Sequence, residues 1–341
     1  MNVEAPTPAL TAKDFASDQE VRWCPGCGDY AILRAVQKAL ADVGARTENT
    51  VFVSGIGCAS RFPYYVATYG FHTIHGRAPA FATGIKLANP DLDVWLVSGD
   101  GDALSIGGNH LIHLIRRNVD VQFLLFNNEI YGLTKGQYSP TSRVGTRSPS
   151  TPGGSVDQPL SAALLALGAG ARFLARGIDS QQKVLPDIFR RAHEHKGTSF
   201  VEIFQNCIVY NDGVFADFTE KAVAADRQVV AEHGQPLIFG KERDKGLRLK
   251  PGRLELEVVT IGEDGISEAD IMVHDETDRM LATLLASLEN PTAPVVVGVI
   301  YCDPAPSYER QVHEHSGGAS KMQPADINAL LRQGHTWTVD G

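Results

Sequence analysis

The stretch "DVWLVSGDGDA" at residues 93–103 decides the fold of this chain. Its first part is apolar, and the run then breaks into glycines and carboxylates. A short apolar run that ends in glycine is typical of a buried strand followed by a tight turn. The stretch "VDVQFLLFNN" at residues 119–128 has the same form, and a helical pattern lies between the two around residues 111–115. We therefore predict two parallel strands connected by a helix.

Polar groups follow both of these strands and suit a magnesium ion. The carboxylate of Asp100, the amide oxygen of Asn128 and the main-chain carbonyl of Ile130 are hard oxygen ligands, which Mg²⁺ prefers beside phosphate oxygens. Gly99 and Gly101 let the backbone approach a phosphate closely. Gly-Asp-Gly or Asn-Asn alone is commonly an ordinary turn. Together, separated by residues 102–126, they predict binding of thiamine diphosphate with Mg²⁺.

Strands and helices alternate along the first 220 residues. Apolar strand patterns lie at residues 51–57, 171–175 and 199–204, and helical patterns lie near residues 33–43, 160–167 and 180–195. This alternation predicts an α/β fold with a doubly wound, mostly parallel sheet, in which ligands bind beyond the carboxyl ends of the strands. Residues 131–158 are rich in Gly, Ser, Thr and Pro with little periodicity, and we interpret them as a long loop that is either a functional lid or binding loop, or else disordered.

The regular alternation of strands and helices ends after about residue 210. Charge-dense turns at 240–253 are followed by patterns for a strand at 254–262, a helix at 277–288 and a strand at 293–301. We predict a thiamine diphosphate-binding domain that also carries the cysteine ligands over residues 1–220. Residues 221–341 are expected to form a C-terminal extension packed on the same domain.

Composition excludes several classes of protein. The net charge of −9 argues against a nucleic-acid surface, which needs clustered Lys and Arg. No apolar run is long enough to span a bilayer, so no membrane association is expected. Residues 1–4 lack the basic and apolar regions of a secretory signal, and we expect a cytoplasmic location.

The cysteines point to a metal site. The chain has 5 of them, Cys24, Cys27, Cys58, Cys207 and Cys302, and an odd number without a secretory signal argues against a disulfide framework. The pair in "CPGC" (24–27) suits a redox disulfide, half of a zinc site or half of an iron–sulfur site. A second CxxC pair does not occur.

Several longer motifs then give a resemblance to a known family. They are "WCPGCGDY" (23–30), "SGIGCASR" (54–61), "HTIHGRAPAFATGIKLANP" (72–90), "VSGDGDALSIGGNH" (97–110), "NNEIYGLTKGQYSPTS" (127–142) and "NCIVYND" (206–212). Over roughly residues 15–220 the chain resembles the thiamine diphosphate-binding β subunit of 2-oxoacid:ferredoxin oxidoreductases. The resemblance implies a transketolase-like cofactor domain and one 4Fe–4S cluster.

The resemblance also implies roles for individual residues. It makes Cys24, Cys27, Cys58 and Cys207 the cluster ligands, whereas Cys302 lies outside every motif and is expected to be a buried structural thiol. A zinc ion bound by the same four thiolates is the competing interpretation. His75 and Lys135 are the implied catalytic residues, with Gln137 near the substrate. The implied cofactor-binding residues are Ile56, Gly57, Cys58, Ala59, His75, Gly99, Gly101, Asp102, Gly132 and Leu133.

The implied reaction is the coenzyme A-dependent oxidative decarboxylation of a 2-oxoacid, with electrons passed to ferredoxin. The motif around "CPGC" and the long C-terminal part look most like the 2-oxoglutarate branch, which forms succinyl-CoA; pyruvate or another 2-oxoacid is the alternative. A zinc-stapled, non-redox thiamine-binding subunit is a second alternative. No residue matches the glutamate that activates the aminopyrimidine ring, so the resemblance implies an α subunit with the pyrimidine-binding domain, in a dimer of αβ dimers.

Overall fold

An eight-stranded sheet lies at the centre of the computed structural model, which describes residues 10–316, 329 and 331–339. The strands are β1 Thr50–Ser54, β2 Tyr69–His72, β3 Asp93–Gly99, β4 Val121–Asn127, β5 Phe173–Ile178, β6 Thr198–Phe204, β7 Gln228–Ala231, β8 Ile238–Phe239, β9 Lys245–Leu249, β10 Leu256–Thr260 and β11 Val295–Cys302. The helices are α1 Asp29–Asp42, α2 Ala78–Ala88, α3 Asp100–Leu104, α4 Gly108–Arg117, α5 Ala162–Gly168, α6 Leu185–Glu194, α7 Ala216–Thr219, α8 Ala224–Arg227, α9 Arg279–Ala286 and α10 Tyr308–His315. Short 3-10 helices span Ala59–Tyr64 and Glu268–Asp270.

The predicted α/β fold with a mostly parallel sheet is confirmed. The strand order is β2-β1-β3-β4-β6-β5-β11-β7, and only the pairing of β11 with β5 is antiparallel. β1 and β4 are buried along their whole length, as expected for strands that helices cover on both faces. The carboxyl ends of β1, β3, β4 and β6 consequently meet at one edge of the sheet.

Two apolar layers cover the sheet. Alternate residues of each strand enter opposite layers, so Phe52 and Trp95 pack on the side of α1 and α6, whereas Val53 and Leu96 pack on the side of α2 and α4. α5 and α9 complete the second layer. Both faces of the central strands are therefore anchored, and the turns after those strands are carried on a rigid frame.

The C-terminal residues extend the central sheet and form a second, smaller sheet. β7 and β11 pair with each other and extend the central sheet beyond β5, whereas β8, β9 and β10 form a separate antiparallel sheet. The prediction of turns throughout residues 240–253 is wrong, because Lys245–Leu249 is a strand. Arg248 faces Glu257 across the β9–β10 pair, with Nε 2.7 Å from Oε1, so opposite charges stabilise a strand in a charged stretch. The division at residue 220 stays a prediction.

The long loop was predicted within residues 131–158. The chain there forms turns and isolated bridges, and a helix begins again only at Ala162. Its part near residues 139–142 is buried at the end of the sheet. Within the described part of the chain, no helix combines the length and the apolar character that a membrane span requires.

Candidate active site

A cleft lies at the carboxyl ends of β1, β3 and β4. It brings together every residue predicted to bind the diphosphate cofactor or its metal: Ile56, Gly57, Cys58, Ala59, His75, Gly99, Asp100, Gly101, Asp102, Asn128, Ile130, Gly132 and Leu133. Phe126, Tyr131 and Thr134 also line it. We call this the cofactor cleft. The residues come from four separate turns, which meet because parallel strands present their carboxyl ends at the same edge.

Asp100 lies buried at the start of α3, directly after β3. Its Oδ2 accepts hydrogen bonds from the hydroxyls of Ser139, at 2.5 Å, and Thr141, at 2.6 Å. Burial raises the pKa of the Asp100 carboxyl to about 6, and the two hydroxyls act in the opposite direction because they stabilise the ionised form. Among the described residues Asp100 has no ion-pair partner, and a carboxylate buried in this way is suited to a metal ion.

The Asn-Asn turn after β4 is fixed by buried polar groups. Asn127 Nδ2 donates to Glu202 Oε1 at 2.9 Å, and Glu202 is paired with Arg176 at 2.7 Å. Asn128 Nδ2 donates to Gln205 Oε1 at 2.7 Å, and Asn128 Oδ1 accepts from the main-chain N–H of Ile130 at 3.2 Å. The orientation of both amides is thus determined by partners on β5 and β6 and just beyond β6.

Asp102 connects three turns of the cleft. Its Oδ1 accepts from the main-chain N–H groups of Ile56 and Gly76, at 3.1 and 2.8 Å, and its Oδ2 accepts from Ser98 Oγ at 2.6 Å. His75 Nδ1 lies 2.6 Å from the same Oδ1, and the His75 ring remains partly exposed. A Cβ atom at Gly55 would lie 1.9 Å from Asp102 Oδ2, so only glycine permits this contact. Asp102 was predicted to flank the phosphates; in the structure its carboxylate binds protein groups.

The donor set of the cofactor cleft fits a magnesium diphosphate. Asp100, Asn128 and Ile130 all line the cleft and carry a carboxylate, an amide and a main-chain carbonyl, which are hard oxygen donors. His75 lies in the same cleft. Lys135 does not line it; the residue is exposed and has a positive φ of 76°. The predicted catalytic role of Lys135, and that of Gln137 beside the substrate, stay predictions.

The four predicted cluster ligands line a second cleft next to the first. We call it the cysteine cleft; Cys24, Cys27, Cys58 and Cys207 all contribute to its wall. Cys58, Asn128, Gly132 and Leu133 belong to both clefts. Cys302 lies elsewhere, at the end of β11, with its Sγ 3.9 Å from His195 Nδ1. Its burial is only partial, so it is less enclosed than predicted.

Local contacts position the cysteines. The main-chain carbonyl of Cys58 accepts from Trp23 Nε1 at 2.7 Å, and the 3-10 helix Ala59–Tyr64 begins at the next residue. A Cβ atom at Gly132 would lie 3.4 Å from Cys207 Sγ and 3.8 Å from Cys58 Sγ, so glycine leaves the space between these sulfurs open. Gln205 Nε2 lies 3.4 Å from Cys27 Sγ, a hydrogen bond of the kind that tunes iron–sulfur clusters.

Electrostatics in the cysteine cleft disfavour free thiolates. Burial, together with the neighbouring charge of Asp29, raises the pKa of Cys27 and raises that of Cys58 to about 12. Burial also raises the pKa of the Asp29 carboxyl to about 7, and neither of its oxygens has a hydrogen-bond partner among the described residues. Thiols in this setting ionise readily only when a cation compensates them, so the site fits a metal group that binds thiolate.

The four sulfurs do not form a preorganised site for a single ion. In residues 10–316 and the described part of the tail, no three His, Cys, Asp or Glu side chains converge where one metal ion could be held. A tetrahedral zinc site needs such convergence, with Zn–S distances of about 2.3 Å. Thiolates around a four-iron cluster bind separate iron atoms and are spread more widely.

A third cleft opens beside both of the others. Ile56, Gly57 and Leu133 connect it to the cofactor cleft, and Arg22 and Arg61 connect it to the cysteine cleft. Its remaining wall is polar, with Gln19, Glu20, Tyr64, Tyr65 and His72. An opening of this kind suits an anionic substrate that must reach the cofactor.

Sequence reasoning missed several residues of the site. Ser139 and Thr141 lie in a loop without periodicity, although "SPTS" was part of a quoted motif. Asp29 follows "CPGCG" (24–28) inside the quoted motif "WCPGCGDY", but its burial depends on the packing of α1 against α6. Arg61 ends the quoted motif "SGIGCASR" but was assigned no role, and Gln205 lies just before the motif "NCIVYND".

Comparison with known proteins agrees with this geometry. Residues 55–203 match the family model described as thiamine pyrophosphate enzyme, C-terminal TPP binding domain. Over 334 residues the chain is 50% identical to "2-oxoglutarate oxidoreductase subunit KorB" of Mycobacterium tuberculosis, covering 96% of this chain and 88% of the relative. The chain belongs to the family of 2-oxoacid:ferredoxin oxidoreductase β subunits.

Other members of this β-subunit family match a shorter part of the chain. The "2-oxoacid:ferredoxin oxidoreductase 1, subunit beta" of Aeropyrum pernix is 48% identical over 196 residues, which cover 58% of this chain and 62% of the relative. A solved structure, the 2-oxoglutarate:ferredoxin oxidoreductase from Magnetococcus marinus with 2-oxoglutarate, coenzyme A and succinyl-CoA bound, superposes with a TM-score of 0.76. That chain is 33% identical, and the match covers 96% of this chain and 98% of the other. Family membership confirms the oxidoreductase class and the thiamine diphosphate cofactor.

Proposed function

We propose that this β subunit oxidatively decarboxylates 2-oxoglutarate to succinyl-CoA and CO₂, with magnesium thiamine diphosphate and one 4Fe–4S cluster, and passes the electrons to ferredoxin. One observation carries the proposal. The cofactor cleft and the cysteine cleft share the wall formed by Cys58 and Gly132. With the cofactor in one cleft and the cluster in the other, an electron donor would lie directly beside an electron acceptor. The names of the relatives that match the chain support the choice of substrate.

The residues of the cofactor cleft would bind and orient the cofactor. Asp100, Asn128 and Ile130 would hold Mg²⁺, and His75 would face the diphosphate and the substrate. Asp102 holds His75 and the turns at Ile56 and Gly76 in one arrangement, which prepares the cleft before ligands enter. Thiamine diphosphate, when bound, supplies the chemistry that cleaves the bond to the 2-oxo carbon.

The cysteine cleft would hold the cluster that takes up the electrons. Cys24, Cys27, Cys58 and Cys207 supply the four thiolates that a 4Fe–4S cluster requires. Cys24 is exposed, which suits transfer of electrons from this edge of the site to a ferredoxin.

A second chain would complete the site. The carboxylates that line the cofactor cleft in the described part of the chain are Asp100 and Asp102. Asp100 is assigned to the metal, and both oxygens of Asp102 accept hydrogen bonds from protein groups. Neither is available to activate the aminopyrimidine ring, so the glutamate for that step would come from an α subunit. We expect two αβ pairs in the assembled enzyme.

Arg61 would select a substrate with a second carboxylate. Its Nε donates to the Tyr65 hydroxyl at 2.9 Å, and no carboxylate of the described residues lies within ion-pair distance of it. Arg22, by contrast, is paired with Glu20 at 2.8 Å. A guanidinium in the third cleft that forms no ion pair with the described residues favours 2-oxoglutarate, whose distal carboxylate it would bind, over pyruvate.

Replacing Arg61 by glutamine tests the substrate. We expect the KM for 2-oxoglutarate to rise about 10- to 100-fold, because a hydrogen bond to a charged partner contributes about 1.5–3 kcal/mol. The kcat/KM for pyruvate should stay unchanged. Arg22→Gln, at the neighbouring paired cation, is the matched control, and iron content shows whether the cluster is intact. An equal loss for both substrates would contradict the role of Arg61 in selectivity.

Dye reduction by separate and mixed subunits tests the reaction. This subunit alone should show no 2-oxoglutarate-dependent reduction of viologen under anaerobic conditions, because the glutamate and the second wall of the cofactor site are missing. Adding the α subunit should restore turnover that requires coenzyme A and should tighten thiamine diphosphate binding, since ligand binding and assembly are linked. Robust turnover by this chain alone, with contaminating partner excluded by mass spectrometry, would show that the site is not divided in this way.

A further inference from the structure

Three buried hydroxyl groups of the long loop lie over the metal-binding end of the cofactor cleft. They belong to Ser139, Thr141 and Ser142, each no more than 5% exposed, in the stretch "SPTS". Hydroxyl groups in a surface loop are ordinarily exposed and bind water. Here the loop folds inward, and each of the three side chains contacts a residue in or next to the predicted magnesium motif.

Two of the hydroxyls converge on one carboxylate oxygen. Ser139 Oγ lies 2.5 Å and Thr141 Oγ1 lies 2.6 Å from Asp100 Oδ2. Short distances of this kind are typical of hydroxyl donors to an ionised carboxylate. Because both hydroxyls contact Oδ2, they leave Oδ1 as the oxygen for a cation and restrict the rotation of the carboxylate.

The same segment also contacts the Asn-Asn turn. Thr141 Oγ1 lies 2.9 Å from Asn127 Oδ1, and Ser142 Oγ donates to the main-chain carbonyl of Glu129 at 2.5 Å. Ser142 Oγ in turn accepts from the main-chain N–H of Ser139 at 2.7 Å. A hydroxyl has one proton, so Thr141 donates to Asp100 when that group is ionised, since a charged acceptor binds more strongly. The segment therefore joins the two halves of the motif, which come from β3 and β4.

We propose that Ser139 and Thr141 are positioning residues of the magnesium–diphosphate site. They set its affinity for Mg²⁺ by binding Oδ2 of Asp100 and so fixing the orientation of the carboxylate. The inference rests on the magnesium site of the proposed function. Groups that orient a metal ligand in this way typically contribute about 10- to 100-fold to metal affinity. The arrangement also explains why a long loop without secondary structure is buried at this point.

A magnesium titration of the assembled αβ enzyme tests the proposal. Thr141→Val keeps the shape of the side chain and removes the hydroxyl. At a fixed thiamine diphosphate concentration, measured by calorimetry, we expect the Mg²⁺ concentration for half-saturation to rise about 10- to 100-fold. Thr141→Ser, which retains the hydroxyl, should restore the wild-type value to within about threefold. Ser139→Ala should weaken Mg²⁺ binding in the same direction, because its hydroxyl reaches the same oxygen.

The matched control lies in the same loop. Thr146 Oγ1 donates to the main-chain carbonyl of Arg143 at 2.6 Å, away from Asp100, so Thr146→Val should leave the Mg²⁺ dependence unchanged. If Thr141→Val lowered the Tm of the cofactor-free enzyme and kept the wild-type Mg²⁺ dependence, the hydroxyl would be a structural contact and the proposal would be wrong. If Thr141→Val did not fold, the Tm and the Mg²⁺ dependence of Ser139→Ala would test the proposal in the same way. Cofactor binding by the wild-type enzyme without any Mg²⁺ requirement would instead contradict the magnesium site itself.

Discussion

Replacing Asp100 by asparagine or alanine is expected to reduce thiamine diphosphate binding at least about 100-fold, since even outer partners of a metal ligand contribute about 10- to 100-fold. Asp100 is the anionic ligand that the cofactor cleft offers to Mg²⁺, and the hydroxyls of Ser139 and Thr141 already hold its second oxygen. Asparagine keeps the volume of the side chain and removes the charge. Calorimetry with magnesium and thiamine diphosphate on the assembled enzyme measures the effect.

The Tm of the metal-free enzyme distinguishes a loss of cofactor binding in the Asp100 variants from unfolding. Burial raises the pKa of Asp100 to about 6, so in the metal-free fold the carboxylate is less stable than it would be in water. Asp100→Asn should therefore leave the Tm of the metal-free enzyme unchanged or slightly higher at neutral pH. Asp91→Asn, at an exposed position just before β3, is the control for a general loss of charge. Wild-type cofactor affinity in Asp100→Asn would show that Asp100 is not a ligand.

Replacing Cys207 by serine is expected to remove the iron–sulfur cluster. Wild-type enzyme isolated anaerobically should be brown and contain about four iron atoms per chain, as the cluster type requires. Cys207 Sγ borders the space beside Gly132 that it shares with Cys58, so its loss leaves the cluster with three ligands. The visible absorption and the iron and sulfide contents should fall to background, and 2-oxoglutarate-dependent dye reduction should be lost with them.

Cys302→Ser is the matched control, because Cys302 is a partly buried cysteine of the same chain at the end of β11, outside the cysteine cleft. It should keep its colour and its iron content. Zinc at full occupancy without iron, in protein reconstituted anaerobically, would support the zinc-stapled alternative. Bleaching by Cys302→Ser to the same extent as by Cys207→Ser would contradict the assignment of ligands.

Much of the site could be predicted because its elements are encoded locally. Apolar runs that end in Gly-Asp-Gly and Asn-Asn predict strands and turns, and parallel strands then bring Asp100 and Asn128 to the same edge of the sheet. Cys58 and Cys207 follow β1 and β6 for the same reason, although their assignment as ligands came from the resemblance. In each case a short pattern determines the strand, and the parallel topology determines where its end lies.

Only the tertiary structure decided the contacts that cross between these elements. Ser139 and Thr141 reach Asp100 through a loop without periodicity, Asp102 binds Ile56 and Gly76 from separate turns, and Lys135 lies exposed outside the cofactor cleft. Amphipathic patterns specify which side of a strand or helix is buried, because burial repeats with the period of the backbone. An irregular loop has no such period, and the partners of its hydroxyls depend on where the whole fold carries it. The sequence by itself therefore determined the α/β frame and the ends of its strands, whereas the tertiary structure determined which side chains support Asp100 and which remain in solvent.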